Sequence, residues 1–491
     1  MGLRSISAYL KLHGHSTRMI FLPYLFPEIA YEKDFSHAYS PRVLEQLVAL
    51  TDGCQLAGVT LMTNYYERAV QITRALRTAR PDLPIVWGGI HASIRPEECL
   101  KDADAVCIHE GEQAMLELAN RMVAGQSYLD VQSFWFRDGN GGIIRNPLRS
   151  PIENLDDLPF FDYDLTDHHV LLQERDEIVK MDKDILRHCL TKEAPTKARA
   201  ALFYQTIASR GCPHACTFCC WSALAREHNI RRGIRRRSNA HIMEELRWVR
   251  RELPFIKEIT FSDDSFLACS VRDAQEFRDM YVQDIGLPFQ CLAEPHTITA
   301  DKLAAFVDAG LVNIQIGIQT GSERMKKMYR RVHSNERIVE MHETIIGHVP
   351  RIRPPIYDFI LDNPWETQED LIETLKLLLS LRRPYFLQIF SLVFFPGTDL
   401  FERARTEGLI TDELQEIYRA QYNTRQINYI NLLFSLFSHN FPLPLLRILA
   451  KPGVVRLLNK PQFNGAFKLL WAAYRRLKLL SIRIMKGKKQ K

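Results

Sequence analysis

Three cysteines lie close together near the middle of the chain, in the sequence GCPHACTFC. Cys212, Cys216 and Cys219 have the spacing Cys-x3-Cys-x2-Cys, so one short loop offers three thiolates. Closed structural zinc and iron–sulfur sites normally recruit four protein ligands. The loop therefore suits a 4Fe-4S cluster whose fourth iron binds an exchangeable ligand. Such an open cluster indicates a catalytic site. A zinc site is the alternative, because Cys220 or His214 is close enough in sequence to supply a fourth ligand.

Alternating strands and helices surround this loop and predict the scaffold that positions it. Short apolar runs at 203–208, 256–261, 289–293, 313–318, 356–361 and 386–393 are candidate strands, with helical segments between them. Six βα units are enough for a partial barrel, whose active site lies over the carboxyl ends of the strands. Since the cysteine loop follows the first strand, the sequence places the loop at that end.

A similar alternation fills the first third of the chain. Apolar runs at 17–22, 56–62, 84–87 and 105–108 predict strands, and amphipathic patterns at 67–79 and 112–122 predict helices. This order predicts a parallel, doubly wound sheet, which binds ligands at the carboxyl ends of its strands. Gly88 with Gly89, and Glu110 with Gly111, follow two of these strands. Glycines there let a ligand approach the backbone closely, although they also form plain turns.

Length and composition narrow the class of protein. A chain of 491 residues with 46% hydrophobic and 25% charged residues predicts two or three globular units with cores of their own. Seven of the ten cysteines are scattered, unlike those of a small secreted disulfide scaffold, so we expect a reducing cytosol. The first residues lack the apolar core and cleavage site of a secretory signal. We therefore expect a cytoplasmic protein.

The positive charge of the chain is concentrated in its last segment. Residues 440–491 contain thirteen Lys and Arg and no Asp or Glu, which leaves residues 1–439 with a net charge of −7. An acidic body argues against extended nucleic-acid binding, so no nucleic-acid partner is expected, although RNA binding through the tail stays an alternative. A basic, apolar tail is compatible with an anionic membrane surface.

Two stretches of the tail bear on a membrane. Residues 463–486 can be wound into a helix with an apolar and a basic face, which predicts either an interfacial helix or a helix docked on the barrel. Residues 426–446 lack Lys, Arg, Asp and Glu, so this stretch could also approach a membrane, but its asparagines and prolines argue against a spanning helix. The sequence favours peripheral attachment to the inner face of the membrane.

Several of these motifs resemble those of a known family. The segments TNYY at 63–66, WGGIHAS at 87–93 and HEGE at 109–112 resemble the cobalamin-binding domain found ahead of many radical SAM enzymes, and the cysteine motif resembles the radical SAM signature. The resemblance implies a flavodoxin-like cobalamin-binding domain, a partial (βα)6 barrel and a helical tail. Two features depart from it: no Asp-x-His-x-x-Gly motif occurs, and residues 2–13 look helical where the family begins with a strand.

The resemblance also implies cofactors and residues that bind them. The three cysteines would hold three irons, and the fourth iron would take the amino and carboxylate groups of S-adenosylmethionine. Candidate contacts to S-adenosylmethionine, all at strand ends, are Asp263, Asp264 and Gln319, with Glu294 and His296 of similar standing. Candidate contacts to cobalamin are Gly88, Gly89, His91, Glu110 and Gly111. The carboxylates could equally cap helices, and His91 could be a capping or packing residue.

Two further sets of residues could contact the substrate or a cofactor. By comparison with the family, Asp362, Asn363 and Trp365 replace small or apolar residues and would shape the substrate side. The basic run at 231–237 is either a solvated loop that leads into a helix or a clamp for a phosphate or carboxylate.

We predict four segments. These are a cobalamin-binding-like domain at 1–130, a linker and insertion at 131–200 with a hairpin turn at 138–142 and an exposed helical part at 173–197, a radical SAM barrel at 201–412 and a tail at 413–491.

By resemblance, the expected activity is methylation of an unactivated carbon in an apolar or membrane-associated small molecule, through a 5′-deoxyadenosyl radical. The expected electron donor is a flavodoxin or ferredoxin. One alternative is a radical oxidation, cyclisation or rearrangement, with or without cobalamin. A distant alternative is an RNA-binding protein stabilised by zinc or a cluster.

Overall fold

The computed structural model describes residues 1–23, 38–192, 202–420, 426–439 and 441–471. The chain divides into two compact units. The first unit comprises Met1–Cys291, Asp308–Gly310 and Val393–Ala420, and the second comprises Leu292–Val307, Leu311–Leu392 and Gln421–Lys491. The segment borders proposed from sequence at 130, 200 and 412 stay predictions.

The elements of the amino-terminal half alternate as the sequence indicates. In chain order they are α1 (Gly2–Leu12), β1 (Met19–Phe21), α2 (Pro41–Ala49), β2 (Ala57–Thr60), α3 (Tyr66–Ala79), β3 (Ile85–Gly88), α4 (Ile90–Ile94), α5 (Pro96–Cys99), β4 (Ala105–Cys107), α6 (Glu112–Val123), β5 (Phe134–Arg137), β6 (Ile143–Arg145), β7 (His168–Leu172), β8 (Glu177–Lys180) and α7 (Lys183–Lys192).

The remaining elements continue the alternation. In chain order they are β9 (Phe203–Thr206), β10 (Ser209–Arg210), α8 (Cys220–Glu227), β11 (Arg235–Arg236), α9 (Asn239–Glu252), β12 (Glu258–Phe261), α10 (Val271–Asp284), β13 (Phe289–Ala293), α11 (Ala300–Ala309), β14 (Leu311–Gln319), α12 (Glu323–Tyr329), α13 (Asn335–Ile346), β15 (Ile356–Leu361), α14 (Gln368–Ser380), β16 (Phe386–Ser391), α15 (Asp399–Thr406), α16 (Tyr429–Ser438), α17 (Leu443–Leu449) and α18 (Pro452–Leu458).

The first sheet confirms the predicted α/β domain. Its five strands have the order β2-β3-β4-β5-β6; β2, β3 and β4 pair in parallel, and β5 and β6 form the predicted antiparallel hairpin. The middle strands are apolar on both faces because helices cover them, so Ile85, Trp87 and Val106 are fully buried. The carboxyl ends of β3 and β4 lead into the two motifs singled out as ligand-binding.

Strand β1 lies outside this sheet. It pairs in parallel with β7, and β7 pairs antiparallel with β8, which gives a separate three-stranded sheet. The run at 17–22 is therefore a strand as predicted, but its partner is nearly 150 residues away in sequence. Helix α1 precedes it, in agreement with the helical pattern at 2–13. The insertion at 173–197 contains β8 and α7 among its described residues.

All six strands predicted for the barrel are present, and each is parallel to a neighbour. In the first unit β9 pairs with β12, and β12 pairs with β13. Their shared core is aromatic, because Phe261, Phe266, Phe277 and Phe289 pack on one another with ring centroids 4.4 to 6.0 Å apart. In the second unit β14 pairs with β15, and β15 pairs with β16.

Helix α16, within the charge-free stretch at 426–446, forms part of a protein core. Helix α16 buries Ile430, Leu433, Phe434 and Phe437, and the ring of Phe434 lies 6.3 Å from that of Phe359 in β15. The expectation that this stretch approaches a membrane is therefore wrong for α16, because its apolar side chains are already covered. In the described part of the chain, no helix is long and apolar enough to cross a bilayer. Most of the predicted helix at 463–486 lies outside the described residues.

Candidate cofactor site

The cysteine loop starts directly after two short strands. Strand β9 ends at Thr206, β10 ends at Arg210, and the loop runs from Gly211 to the start of α8 at Cys220. Gly211 has φ +99°, and a Cβ at this position would overlap the carbonyl oxygen of Gly233, so only glycine fits here. At the far end of the loop, Trp221 Nε1 donates a hydrogen bond of 2.9 Å to the carbonyl oxygen of Cys212. The loop is thus held at both ends.

The three thiols lie in a buried, water-poor setting. Cys216 is buried, while Cys212 and Cys219 are partly buried. Burial raises the pKa of Cys212 to about 12 and also raises that of Cys219, and the carboxylate of Asp264 adds to both shifts. Backbone N–H groups oppose the shift by donating to the sulfurs: that of His214 to Cys212, and those of residues 221 and 222 to Cys219. Proton release therefore has to accompany binding of iron.

The spacing of the sulfurs disfavours zinc. In a tetrahedral zinc site with Zn–S bonds of about 2.3 Å, the sulfurs lie about 3.8 Å apart. Within the described ranges, the loop brings no three Cys or His ligand atoms within 4.8 Å of one another. The loop is therefore more open than a closed zinc site, including one completed by Cys220 or His214.

A different trio does lie that close, but a lysine already pairs with both of its carboxylates. Asp162, Asp164 and His168 bring their ligand atoms within 4.8 Å of one another. Lys11 Nζ lies 2.8 Å from Asp162 Oδ2 and 2.7 Å from Asp164 Oδ2, and Ser7 Oγ donates to Asp162 Oδ2 over 2.5 Å. The cluster therefore ties α1 to the segment before β7.

The two carboxylates at the end of β12 have different surroundings. Asp263 is buried and accepts two hydrogen bonds of 3.0 Å from the backbone N–H of Ala208 and another from the hydroxyl of Ser209. Asp264 lies close to the cysteine thiols, and its carboxylate pairs with no other described group. Burial, followed by repulsion from Asp263, raises the pKa of Asp264. Asp263 is therefore used to hold the backbone, while Asp264 is available to a ligand.

Gln319 lies at the carboxyl end of β14, in the second unit. The pairing of β14 with β15 shifts between Gly317 and Gln319, and Gln319 has the left-handed φ of +67°. Its Oε1 is buried and accepts no hydrogen bond from any described residue. An unpaired buried amide oxygen on a strained backbone is typical of a ligand-binding group. The contact of Gln319 with S-adenosylmethionine stays a prediction.

His91 lies in a packed layer instead of at an open surface. It is 1% exposed, and its Nδ1 is 3.1 Å from Thr63 Oγ1. Its ring lies edge-on to Tyr66 and Tyr418, with centroids 5.3 and 5.4 Å away, and burial lowers its pKa to about 4. Of the two interpretations drawn from sequence, the surroundings of His91 match the packing residue.

Glu110 is held by two arginines. Arg235 forms an ion pair with Glu110 and also donates to the carbonyl oxygen of Ile152 over 2.6 Å. Arg210 NH1 lies 3.4 Å from Glu110 Oε1, and its NH2 lies 2.5 Å from Glu112 Oε1. The four charges balance, and these ion pairs connect the end of β4 to the strands that flank the cysteine loop.

The basic run at 231–237 is accordingly not a free anion clamp at its carboxyl end. Arg235 pairs with Glu110, and Arg237 NH1 lies 2.5 Å from the buried Glu245 Oε2. The guanidinium of Arg236 lies 5.3 Å from the ring centre of Phe266. Intramolecular partners thus occupy these three arginines, which corrects the clamp interpretation for them.

The residues predicted for the substrate side are partly used in packing. Asp362 accepts hydrogen bonds from Ser391 Oγ and Asn431 Nδ2 at 2.5 and 2.7 Å. Asn363 donates to Tyr329 Oη over 2.8 Å. These polar groups therefore stabilise the loop between β15 and α14.

One cavity of about 380 Å³ gathers most of these groups within the first unit. Its wall includes the predicted residues Gly89, Glu110, Gly111, Asp263 and Asp264, and it reaches Gly211, the neighbour of Cys212. Neither Gly88 nor His91 lines it. The wall also includes residues that were not among the predicted cofactor contacts, such as Thr60, Ser93, His109, Ser209, Arg210, Trp221 and Arg235. Thr60 and His109 lie at or just after strand ends, a position that the sequence indicates, whereas Ser93 lies in α4 and Trp221 in α8, where no sequence pattern pointed to the cavity.

The residues present suit the cofactors that the motifs imply. The open set of three thiols suits a cluster, and the unpaired carboxylate of Asp264 beside it suits an ammonium group. Gly89 lines the cavity and cannot carry a side chain, because a Cβ there would lie 2.6 Å from the carbonyl oxygen of Leu61. The wall of the cavity therefore combines strand ends of the amino-terminal sheet with Asp264 and the start of the cysteine loop.

Comparisons with protein families identify both domains. The model of the radical SAM superfamily matches residues 206–378, and the model of the B12 binding domain matches residues 1–119. The first match implies a 4Fe-4S cluster and S-adenosylmethionine, and the second implies cobalamin.

Relatives in sequence are distant. An uncharacterized methyltransferase of Pyrococcus horikoshii is 24% identical over 360 residues, which is 72% of this chain and 70% of that protein. The anaerobic magnesium-protoporphyrin IX monomethyl ester cyclase of Rubrivivax gelatinosus is 23% identical over 76% of this chain. The chain spans only 60% of that cyclase, and 52% of a cytidylyl-2-hydroxyethylphosphonate methyltransferase of Streptomyces wedmorensis that is 23% identical over 56% of this chain.

Solved structures share the fold. The radical S-adenosylmethionine methyltransferase TsrM of Kitasatospora setae superposes with a TM-score of 0.62 over 84% of this chain and 74% of its own, at 14% identity. The cobalamin-dependent S-adenosylmethionine radical enzyme OxsB superposes with a TM-score of 0.55 over 76% of this chain and 50% of its own, at 17% identity. With both domain matches and this fold, the chain is a radical SAM enzyme with an amino-terminal B12-binding domain.

Proposed function

We propose that the protein is a cobalamin-dependent radical SAM methyltransferase that methylates an unactivated carbon of a small molecule. The observation that carries the proposal is the shared cavity in the first unit. Strand ends of the matched B12-binding region supply Thr60, Gly89 and His109 to its wall, and the radical SAM region supplies Asp264 and the start of the cysteine loop. A methyl donor and a radical source would thus meet in one place.

In this proposal the residues of the chain bind and orient the cofactors. When bound, the cluster and S-adenosylmethionine supply a 5′-deoxyadenosyl radical, and cobalamin supplies the methyl group. Cys212, Cys216 and Cys219 would hold the cluster, and the carboxylate of Asp264 would orient the methionyl ammonium group. The apolar ring of Trp221, in the wall next to the loop, would keep water from the reacting atoms.

The substrate class and the location are finer parts of the proposal. We infer an apolar small molecule and peripheral attachment to an anionic membrane from the basic, apolar composition of residues 440–491 alone. Helix α16 does not support it, since its apolar side chains are buried. Flotation with vesicles that contain anionic lipids, compared with neutral vesicles, tests the attachment directly; equal recovery in both would count against it.

The activity is tested with S-adenosylmethionine labelled in its methyl group. The reconstituted enzyme is reduced with flavodoxin or ferredoxin and given candidate apolar substrates. Methyl transfer to carbon by this route consumes two molecules of S-adenosylmethionine per product, so we expect label in the product, and S-adenosylhomocysteine and 5′-deoxyadenosine in equal amounts. Release of S-adenosylhomocysteine without 5′-deoxyadenosine would contradict a radical route.

A second candidate is a radical oxidation or cyclisation. It is favoured by the similarity to the magnesium-protoporphyrin ester cyclase over 76% of this chain, although the chain spans only 60% of that protein. The same assay separates the two candidates. Formation of 5′-deoxyadenosine with no S-adenosylhomocysteine and no labelled product would favour the cyclase-like activity.

A further inference from the structure

The residue after β4 and Ile108 has an unusual backbone. His109 has φ +71°, in the left-handed region that residues other than glycine rarely adopt. Its backbone N–H donates to Ser93 Oγ of helix α4 over 3.0 Å, which holds this conformation in place. Strain of this kind is kept where the surrounding structure holds a side chain in a particular direction. Here the side chain of His109 lines the cofactor cavity.

The ring of His109 packs against a neighbouring side chain, but its nitrogens form no hydrogen bond within the described chain. The imidazole lies beside the indole of Trp221, with ring centres 6.3 Å apart and planes inclined by 31°. Neither ring nitrogen hydrogen-bonds to another residue of the described chain, although the backbone N–H of the same residue does. A half-buried imidazole in a cavity wall therefore presents its nitrogens to whatever fills the cavity.

Other basic groups near this cavity either lie outside its wall or are paired with protein groups. His91 is packed between two tyrosines and does not line the cavity, and His228 Nε2 lies 2.7 Å from the carbonyl oxygen of Ser93. Arg210 and Arg235 pair with Glu112 and Glu110. Among the described residues of the wall, His109 is thus the neutral nitrogen base left for a ligand.

We propose that His109 is an axial nitrogen ligand to the cobalt of a corrinoid bound in this cavity. The proposal rests on the proposed function, because it needs cobalamin in the cavity. Imidazole nitrogen is a strong ligand for transition metals, and only the neutral ring has a free lone pair. Burial lowers the pKa of His109, which favours the neutral ring at neutral pH. The sequence lacks the histidine motif that usually supplies such a ligand, so the coordination would come from a different position.

Electron paramagnetic resonance of the bound cob(II)alamin tests this directly. An axial 14N splits each cobalt line into a triplet, and 15N splits it into a doublet. The full-length holoprotein is prepared twice, once with natural histidine and once with 15N-histidine, and both are loaded with unlabelled cobalamin. We expect a triplet that becomes a doublet on labelling. A triplet that labelling leaves unchanged would assign the ligand to the cofactor's own base, and no splitting would mean no nitrogen ligand; either result overturns the proposal.

Variants of two histidines identify the ligand, and retained cobalamin shows that a variant is still folded. In His109→Asn the splitting should disappear while cobalamin stays bound, since Asn tolerates the left-handed backbone better than most residues. His91→Asn is the matched control and should keep the doublet in labelled protein. A doublet that survives in His109→Asn would overturn the assignment. If the wild-type protein retains no cobalamin after desalting, the proposed function itself fails, and this inference with it.

Discussion

Two adjacent carboxylates show how neighbouring residues divide structural and ligand-binding roles. Asp263 uses its oxygens to hold the backbone of Ala208 and the hydroxyl of Ser209, just before the cysteine loop. Asp264 has no such partner in the described chain and lies near the thiols. The order along the sequence gives no hint of this difference, because both residues follow the same strand.

We expect Asp264→Asn to weaken binding of S-adenosylmethionine about tenfold to a hundredfold, since a hydrogen bond to a charged group contributes about 1.5–3 kcal/mol. Isothermal titration of the reconstituted protein measures this. Thermal stability should change little. Asp263→Ala is the contrasting variant: it leaves a buried N–H of Ala208 unpaired, so it should lower the free energy of unfolding by about 1–3 kcal/mol. Unchanged affinity in Asp264→Asn would remove that residue from the site.

The ligand assignment of the cysteines is tested by iron content. Cys216→Ala should lose the cluster and all release of 5′-deoxyadenosine, because only two ligands remain. Cys220→Ala is the matched control, since its thiol packs beside Ile94 and Leu224, and this variant should keep the iron content of the wild type. Full iron content in Cys216→Ala, or its loss in Cys220→Ala, would mean that the ligand set is wrong.

At this scale the sequence predicted residue types better than residue roles. The cysteines and the acidic strand ends are visible as motifs. His91 and His109 both follow a strand in a glycine-containing motif, and the choice between them depends on a left-handed backbone and on the packing of Tyr418, which is more than 300 residues away. No local pattern carries that information.

Among the elements, the loop between β15 and α14 contains a carboxyl group with a strongly shifted pKa. Burial, and then the charges of Asp370 and Asp362, raise the pKa of Glu366 from 4.5 to about 8, and its Oε2 has no hydrogen-bond partner in the described chain. The native state therefore keeps a proton there that the unfolded chain releases at lower pH.

This shift predicts a pH dependence of stability. Because the native pKa is raised, the contribution of Glu366 to stability is complete below about pH 4.5 and is lost as the pH rises to about 8. Relative to wild type, Glu366→Gln should be equally stable near pH 4.5 and more stable above pH 8, by at least about 1.4 kcal/mol, the value of one pKa unit. Chemical unfolding at several pH values measures the gap. A constant gap across this range would contradict the shift.

Helix α16 provides a test of the core assignment. Phe434 is 0% exposed and packs against Phe359, so Phe434→Ala should lower the free energy of unfolding by about 3–5 kcal/mol. The control Leu445→Ala, at a side chain that is 47% exposed, should change it by less than about 0.5 kcal/mol. Similar losses in both variants would argue against a buried α16.

Element prediction succeeded where the pattern is local. The six barrel strands and the strands β2 to β4 are continuous apolar runs, which are typical of buried parallel strands. The parallel pairing of β1 with β7 was not predictable, because two short strands far apart in sequence carry no signal of register. For α16 the same composition fits a membrane-facing or a buried segment, and only the packing decides between them.

On the scale of the whole molecule, the first unit holds its parts together through a few defined contacts. Ile94 of α4 packs against Ala223 and Leu224 of α8, and the pair of Arg210 with Glu112 joins the cysteine loop to α6. The segment at 410–419 returns to the same region, where Tyr418 Oη donates to Glu98 over 2.7 Å. The B12-binding region and the cysteine loop therefore belong to one compact unit, which also contains every residue that lines the cavity.

The order of domains could be predicted from sequence because each domain carries its own motif. The boundaries of the compact units could not, since the segment at 393–420 rejoins the first unit after about a hundred residues of the second. Such a return depends on contacts like that of Arg419 with Glu67, which no periodicity in the sequence reveals.

The most direct test of the account is the metal content of the full chain. The protein is reconstituted anaerobically with iron, sulfide and hydroxocobalamin, desalted, and analysed for iron, cobalt and zinc. We expect about four irons, the content of one 4Fe-4S cluster, together with about one cobalt per chain. Iron without cobalt would contradict the role given to the cavity and favour a cobalamin-independent radical enzyme. Zinc in place of iron would contradict the assignment of the cysteine loop altogether.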